Sequence, residues 1–164
     1  MARGMGGTDD QLQPRGASLR STASSAGPLL PTIPDNNGIS LDPSFKASET
    51  ELMEYTYGQC HALALALHRH SGWRLAGCNW SDDQDSVPGH IFVVDDDDRG
   101  VDIHGSHPRG RHPDPGIDSD WRPITVDQVR SWINADEYDA ADHGRADYTA
   151  ELMLGISDTI ILPA

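Results

Sequence analysis

The stretch Gly58-Gln59-Cys60-His61-Ala62-Leu63-Ala64-Leu65-Ala66-Leu67-His68-Arg69-His70-Ser71-Gly72 constrains the fold more than any other part of the chain. Alanine and leucine are strong helix formers, and Gly72 stands where a helix end accepts a left-handed residue. Residues 62–67 are apolar on every face, so this helix has no stripe to leave in water. Such a helix belongs in the middle of a domain, with other elements packed around it.

The flanking sequence supplies those elements. Ser48-Glu49-Thr50-Glu51 fits a capping box that opens a short helix to about Tyr55, and Gly58 interrupts it. Trp73 to Trp80 reads as a strand, followed by a polar loop from Ser81 to Gly89. His90–Val94 and Val101–His104 flank the acidic turn Asp95-Asp96-Asp97-Asp98-Arg99-Gly100, a β-hairpin signal. The prolines and glycines between Gly105 and Pro123 predict a long irregular loop over one face, placed beside Asp102 to gate a site. Thr125-Val126-Asp127-Gln128 is a second capping box, opening a helix to about Ala135. Tyr148–Leu154 reads as a further short helix and Ile156–Leu162 as a last strand. No internal repeat is visible. The fold expected is α+β, a central helix packed on an antiparallel sheet.

A chain of 164 residues suits one compact domain. Residues 1–44 are dense in Gly, Pro, Ser and Ala and are expected to form a disordered tail or linker, because they cannot bury enough apolar surface to offset the cost of ordering. The domain is expected over 45–164. The early arginines are followed by no apolar run of signal-peptide length, and no segment is long enough to span a bilayer. Arg3, Arg15 and Arg20 with the nearby serines suit a transit peptide, but Asp9 and Asp10 count against one. A cytoplasmic protein is expected, with specialised export open. The net charge of −14 argues against nucleic-acid and membrane-surface partners, which select clustered Lys and Arg. Lys46 is the one lysine, a bias read as codon usage. Two cysteines build neither a disulfide framework nor a four-cysteine zinc site.

Cys60 carries the strongest chemical signal. The free N–H groups and positive dipole end of a helix lower a thiol pKa there and can also stabilise an oxyanion on a substrate carbonyl. A thiolate nucleophile needs an imidazole to accept and return its proton, and the imidazole needs an orienting carboxylate or amide. His90 at the head of one hairpin strand and Asp102 on the other are the candidates. They share a face if paired residue numbers across the hairpin sum to an even value, which an odd-length loop or a bulge at Gly100 provides.

Three segments, GQCHALALALH, GHIFVV and VDIHG, together resemble the papain-like and transglutaminase-like thiol enzymes, above all small bacterial domains of that superfamily. The resemblance covers about residues 55–106. It implies a Cys60 nucleophile, a His90 base and an Asp102 orienter, with Gln59 or the Cys60 amide as oxyanion donor. It also implies action on an amide or thioester of a peptide, protein or small molecule, with a carrier or target protein as a possible partner and no cofactor. Peptidases, amidases, deamidases, transglutaminases and acyltransferases all fall within it.

Other readings compete. A cysteine on an apolar helix is often a small core residue, and a catalytically silent interaction module would keep the same scaffold. Cys78 reads as core within a strand, and a Cys60–Cys78 disulfide is disfavoured in a chain without an export signal. His61, His68 and His70 read as the polar fringe of the central helix, the last two favourably placed near its negative end. His104, His107 and His112 with Asp102 or Asp114 suit a zinc-dependent hydrolase, but a Pro- and Gly-rich loop holds ligands poorly; no metal is expected. Asp95–Asp98 lacks the ligand pattern of a calcium loop and reads as a solvated turn. Trp73, Trp80, Trp121 and Trp132 read as core and lid packing.

Overall fold

A computed structural model of the chain describes residues 38–80, 87–117 and 120–156. Both capping boxes form. Helix α1 (Glu49–Tyr57) starts at Ser48, whose N–H donates to Glu51 Oε2 (2.8 Å) while its Oγ accepts from Glu51 N–H. Helix α3 (Val126–Asn134) starts the same way at Thr125 and Gln128. The central helix α2 (Cys60–Ser71) ends at Gly72, which takes the left-handed conformation at φ 72°. Helix α4 (His143–Leu154) begins five residues ahead of the expected Tyr148. Asp142 caps it by accepting from Arg145 N–H at 3.1 Å, and this local bond offsets the poor helix propensity of Gly144.

Strands β1 (Arg74–Trp80), β2 (Pro88–Val94), β3 (Arg99–Asp102), β4 (Gly105–Pro108) and β5 (Arg122–Pro123) form one antiparallel sheet in the order β4-β3-β2-β1-β5. Two expectations are corrected here. The stretch 105–123 is not irregular throughout, since both its ends are edge strands. Proline is tolerated on short edges, where no ladder N–H is required of it. The strand expected over Val101–His104 stops at Asp102, because Ile103 and His104 form a two-residue turn into β4 that Gly105 completes at φ 90°. The last strand expected, Ile156–Leu162, lies outside the described residues from 157 onward.

The β2–β3 register decides where the polar residues point. Val93 pairs with Val101 and Val94 with Gly100, so paired numbers sum to an even value and five residues, Asp95 to Arg99, lie between the last pair. His90 and Asp102 therefore share a face. Ile91, Val93, Val101 and Ile103 face the other way, into the main core with the leucines of α2. Burying each such leucine contributes roughly 1.5–3 kcal/mol, which makes α2 the post on which α4 and the sheet are assembled. Ile39, Leu41 and Phe45, partly buried, also pack on this core. The opposite face carries a smaller cluster of Ala76, Cys78, Phe92, Val94, Ile117 and Trp121. Trp73 is buried as expected, and Trp80 meets Trp132 edge-on at 6.2 Å. Among the described residues no helix is long and apolar enough to cross a membrane.

Candidate functional site

The site forms where β3 parts from β2. Strand β3 ends at Asp102, whereas β2 runs on through Ile91 and His90. The first residue of α2 occupies this gap. Gly58 and Gln59 turn the chain from α1 into α2, and Cys60 stands at the helix start, where first-turn amides have no partner within the helix. Cys60 is 4% exposed, and its sulfur lies against the imidazoles of His61 and His90, with the Ile91 N–H directed at it. Burial by itself pushes the thiol up. The two imidazoles, the positive charge of His90 and the Ile91 amide outweigh burial and bring it down to about 6.

His90 is wholly buried. Its Nε2–H donates to Asp102 Oδ2 at 3.0 Å, and its Nδ1 makes no aligned hydrogen bond, leaving that nitrogen for the thiol. Burial disfavours the imidazolium, but the Asp102 carboxylate and the Cys60 thiolate overcome this and raise His90 to about 9. Between those two values the pair is a thiolate and an imidazolium. Asp102 holds its own charge well below the usual carboxylate range. Burial opposes this, and the imidazoles of His107, His112 and His90 around the carboxylate prevail. Its second oxygen accepts the His104 N–H at 2.9 Å. The structure thus brings together the three residues singled out as nucleophile, base and orienter.

Gln59 is engaged elsewhere. Its side chain donates to Ala140 O (3.3 Å) and accepts from Asp142 N–H (3.0 Å), fastening the segment 138–142 across the start of α2. Tyr138 in that segment stacks on His61 with ring centroids 4.7 Å apart and donates to Pro88 O. Burial and the nearby Cys60 and Cys78 thiols push the Tyr138 hydroxyl far above its usual range, so it stays a donor.

His61 corrects an expectation. It is not on a polar fringe but fully buried, its Nε2–H donating to Asp139 O at 3.1 Å and its Nδ1 left without an aligned partner. The apolar residues after it gave no sign that the segment 138–142 covers the helix start. His68 does sit near the C-terminus of α2, where its Nδ1 meets Trp73 O at 2.6 Å, and His70 approaches Asp147 at 3.2 Å. Cys78 is fully buried in β1, and it is not joined to Cys60. The acidic turn folds on itself, Asp95 Oδ1 accepting from Asp97 and Arg99 N–H.

The segment after β4 is pinned down more firmly than its composition suggests. His112 folds inward so that Nε2–H donates to Asp102 Oδ2 at 2.6 Å, with its side chain only 2% exposed. Tyr57 at the end of α1 donates to Asp114 Oδ2. Among the described residues, the ligand atoms of His90, Asp102 and His112 lie within 4.8 Å of one another, a set that could hold a metal ion. Of the other histidines weighed for a metal, His107 points the same way from β4, while His104 Nε2 meets Thr56 Oγ1 at 2.9 Å. No family model, no curated protein and no solved structure matches this chain.

Proposed function

We propose that this chain is a thiol-dependent hydrolase or acyl transferase on a papain-like or transglutaminase-like core, acting on an amide or thioester. One observation carries the reading. A thiol at the N-terminus of an enclosed helix faces the unpartnered Nδ1 of an imidazole whose Nε2 is held by a buried carboxylate.

The steps follow from which nitrogen is free. The Cys60 thiolate attacks the substrate carbonyl carbon, and the oxyanion forms beside the Cys60 amide at the positive helix end. With the Gln59 side chain tied to residues 140–142, this backbone N–H is the donor at hand. His90 passes its Nδ1 proton to the departing amine or thiol, leaving an acyl group on Cys60. The neutral ring then takes a proton from water or another acceptor, which attacks the thioester and restores the thiolate. Asp102 fixes the ring and stabilises its charged form throughout. Tyr138, His61 and the 138–142 segment cover the sulfur, so substrate reaches it by displacing or threading past that segment.

The test is thiol labelling with the site mapped by mass spectrometry. In chelator-treated protein at pH 7, iodoacetamide should modify Cys60 faster than an ordinary thiol, and a peptide-amide or thioester electrophile should acylate the same residue. Cys60→Ala should abolish both while leaving the circular dichroism unchanged. A Cys60 that reacts only near the ordinary thiol range would instead mark a silent interaction module on this scaffold.

A further inference from the structure

The thiol chemistry does not use the ring of His107 beyond its place near Asp102. His107 projects from β4, is 3% exposed, and neither of its ring nitrogens has a hydrogen-bond partner. A buried polar group left unpaired costs about 1–3 kcal/mol. Nor is the ring there to fill slack space. A Cβ on Gly100 would come within 2.4 Å of it, so the opposing strand has given up a side chain to admit it.

Its Nε2 lies 3.8 Å from Asp102 Oδ2, the oxygen that His90 Nε2 approaches to 3.0 Å and His112 Nε2 to 2.6 Å. His90, Asp102 and His112 offer ligand atoms within 4.8 Å of one another, and His107 Nε2 approaches the same carboxylate oxygen from β4. In a tetrahedral zinc site with arms of roughly 2.0–2.1 Å, neighbouring ligand atoms stand about 3.3 Å apart. The three separations from the Asp102 oxygen straddle that figure, and loading would draw His107 in towards the other two nitrogens. The outer contacts also fit. Asp102 Oδ1 is steadied by the His104 N–H, and His112 Nδ1, which here accepts the Asp114 N–H at 2.9 Å, has Asp114 O at 3.2 Å to take the proton it would carry once Nε2 is metal-bound. Three ligands come from the sheet (β2, β3 and β4), which removes the objection that a mobile loop would hold them poorly.

We infer that His90, Asp102, His107 and His112 form a site for one zinc-class divalent ion, with His107 the ligand whose two ring nitrogens are otherwise without a hydrogen bond. Four protein ligands leave no open position for a water nucleophile, so the ion is not hydrolytic. It draws on His90 and Asp102, so metal loading and thiol chemistry are alternative uses of the same two side chains. The inference does not depend on the thiol reading, because Cys60 is outside the ligand set.

The experiment is metal content and zinc affinity of the full chain, with cobalt substitution to read the coordination. One ion per chain should be retained through desalting, and cobalt should give the intense visible absorption of a four-coordinate site. Cys60→Ala should retain both. His107→Leu preserves bulk and removes the nitrogens, and His112→Gln preserves a donor to Asp102 but is no zinc ligand. Loss of an outer-shell partner alone costs about 10–100-fold in affinity, so each variant should weaken binding by at least about 100-fold. Metal-free His107→Leu should unfold at the same temperature as the parent or higher, which separates loss of a ligand from loss of the fold. A chain that takes up no stoichiometric ion overturns the inference. So does an ion kept by His107→Leu and His112→Gln but lost from Cys60→Ala, which would place it on the thiol.

Discussion

The two faces of the sheet are built on opposite terms. Towards α2, Ile91, Val93, Val101 and Ile103 meet Leu63, Leu67, Val129 and Met153, an apolar core wrapped around one helix. On the other face, a small apolar cluster that includes Ile117 and Trp121 stands beside His90, Asp102, His107 and His112. Burying a polar group is costly unless it is paired, and concentrating four titratable side chains on one face is no way to gain stability. The first face accounts for why the chain folds. The second is where the proposed activity would be placed at the expense of stability, and the boundary between them is the gap in which Cys60 sits.

That division can be broken from either side. The largest effect should come from the helix face: Leu67→Ala, at a fully buried position of α2, should destabilise by about 2–5 kcal/mol in denaturant titration without altering the pH at which Cys60 alkylates. On the polar face, Asp102→Asn removes the charge that holds His90 cationic. The thiol should then rise towards its ordinary value, slowing alkylation at pH 7 by about tenfold for each pH unit of the shift. In the parent chain, freed of metal by chelator, alkylation should reach half its plateau near pH 6. The sign follows from a lowered thiol value: thiolate persists above it and is lost as pH falls through it. Turnover should also decline as pH rises through about 9, where His90 gives up the proton that the leaving group needs. An alkylation midpoint near the ordinary thiol value of about 8.5 would erase the distinction between the faces.

Smaller effects sharpen it. Gly100→Ala drives a methyl into the His107 ring and should cost about 1–3 kcal/mol in thermal or denaturant unfolding. Thr125→Ala removes a solvent-exposed helix cap and should cost about 1 kcal/mol with no change in thiol reactivity.

What the sequence disclosed was what is local. Ser48 with Glu51 and Thr125 with Gln128 announce helix starts within four residues, and α2 declares its burial through composition alone. The acidic turn and its flanking β-branched residues revealed a hairpin, and counting residues exposed the condition under which His90 and Asp102 meet. What stayed hidden is set by distant partners. Strands β4 and β5 exist because β3 and β1 offer them edges, which no propensity in a Pro-rich stretch reports. The burial of His61 depends on Tyr138, a neighbour in space that lies far along the chain. His112 looked like part of a loose loop. Its inward position depends on Asp102 and on the turn around Asp114 rather than on the residues beside it.

The five-residue span from Asp95 to Arg99 has a consequence for how this protein can vary. Its tip is polar and solvent-facing, the kind of place where insertions and deletions are ordinarily harmless. Adding or removing one residue there, without a compensating bulge, would rotate everything downstream by half a pleat, turning Asp102 towards the leucines and Val101 towards the histidines. Adding two would restore the arrangement. Length at this bend is therefore free to drift only in even steps, an arithmetic rule written by backbone geometry into a stretch whose side chains do not reveal it.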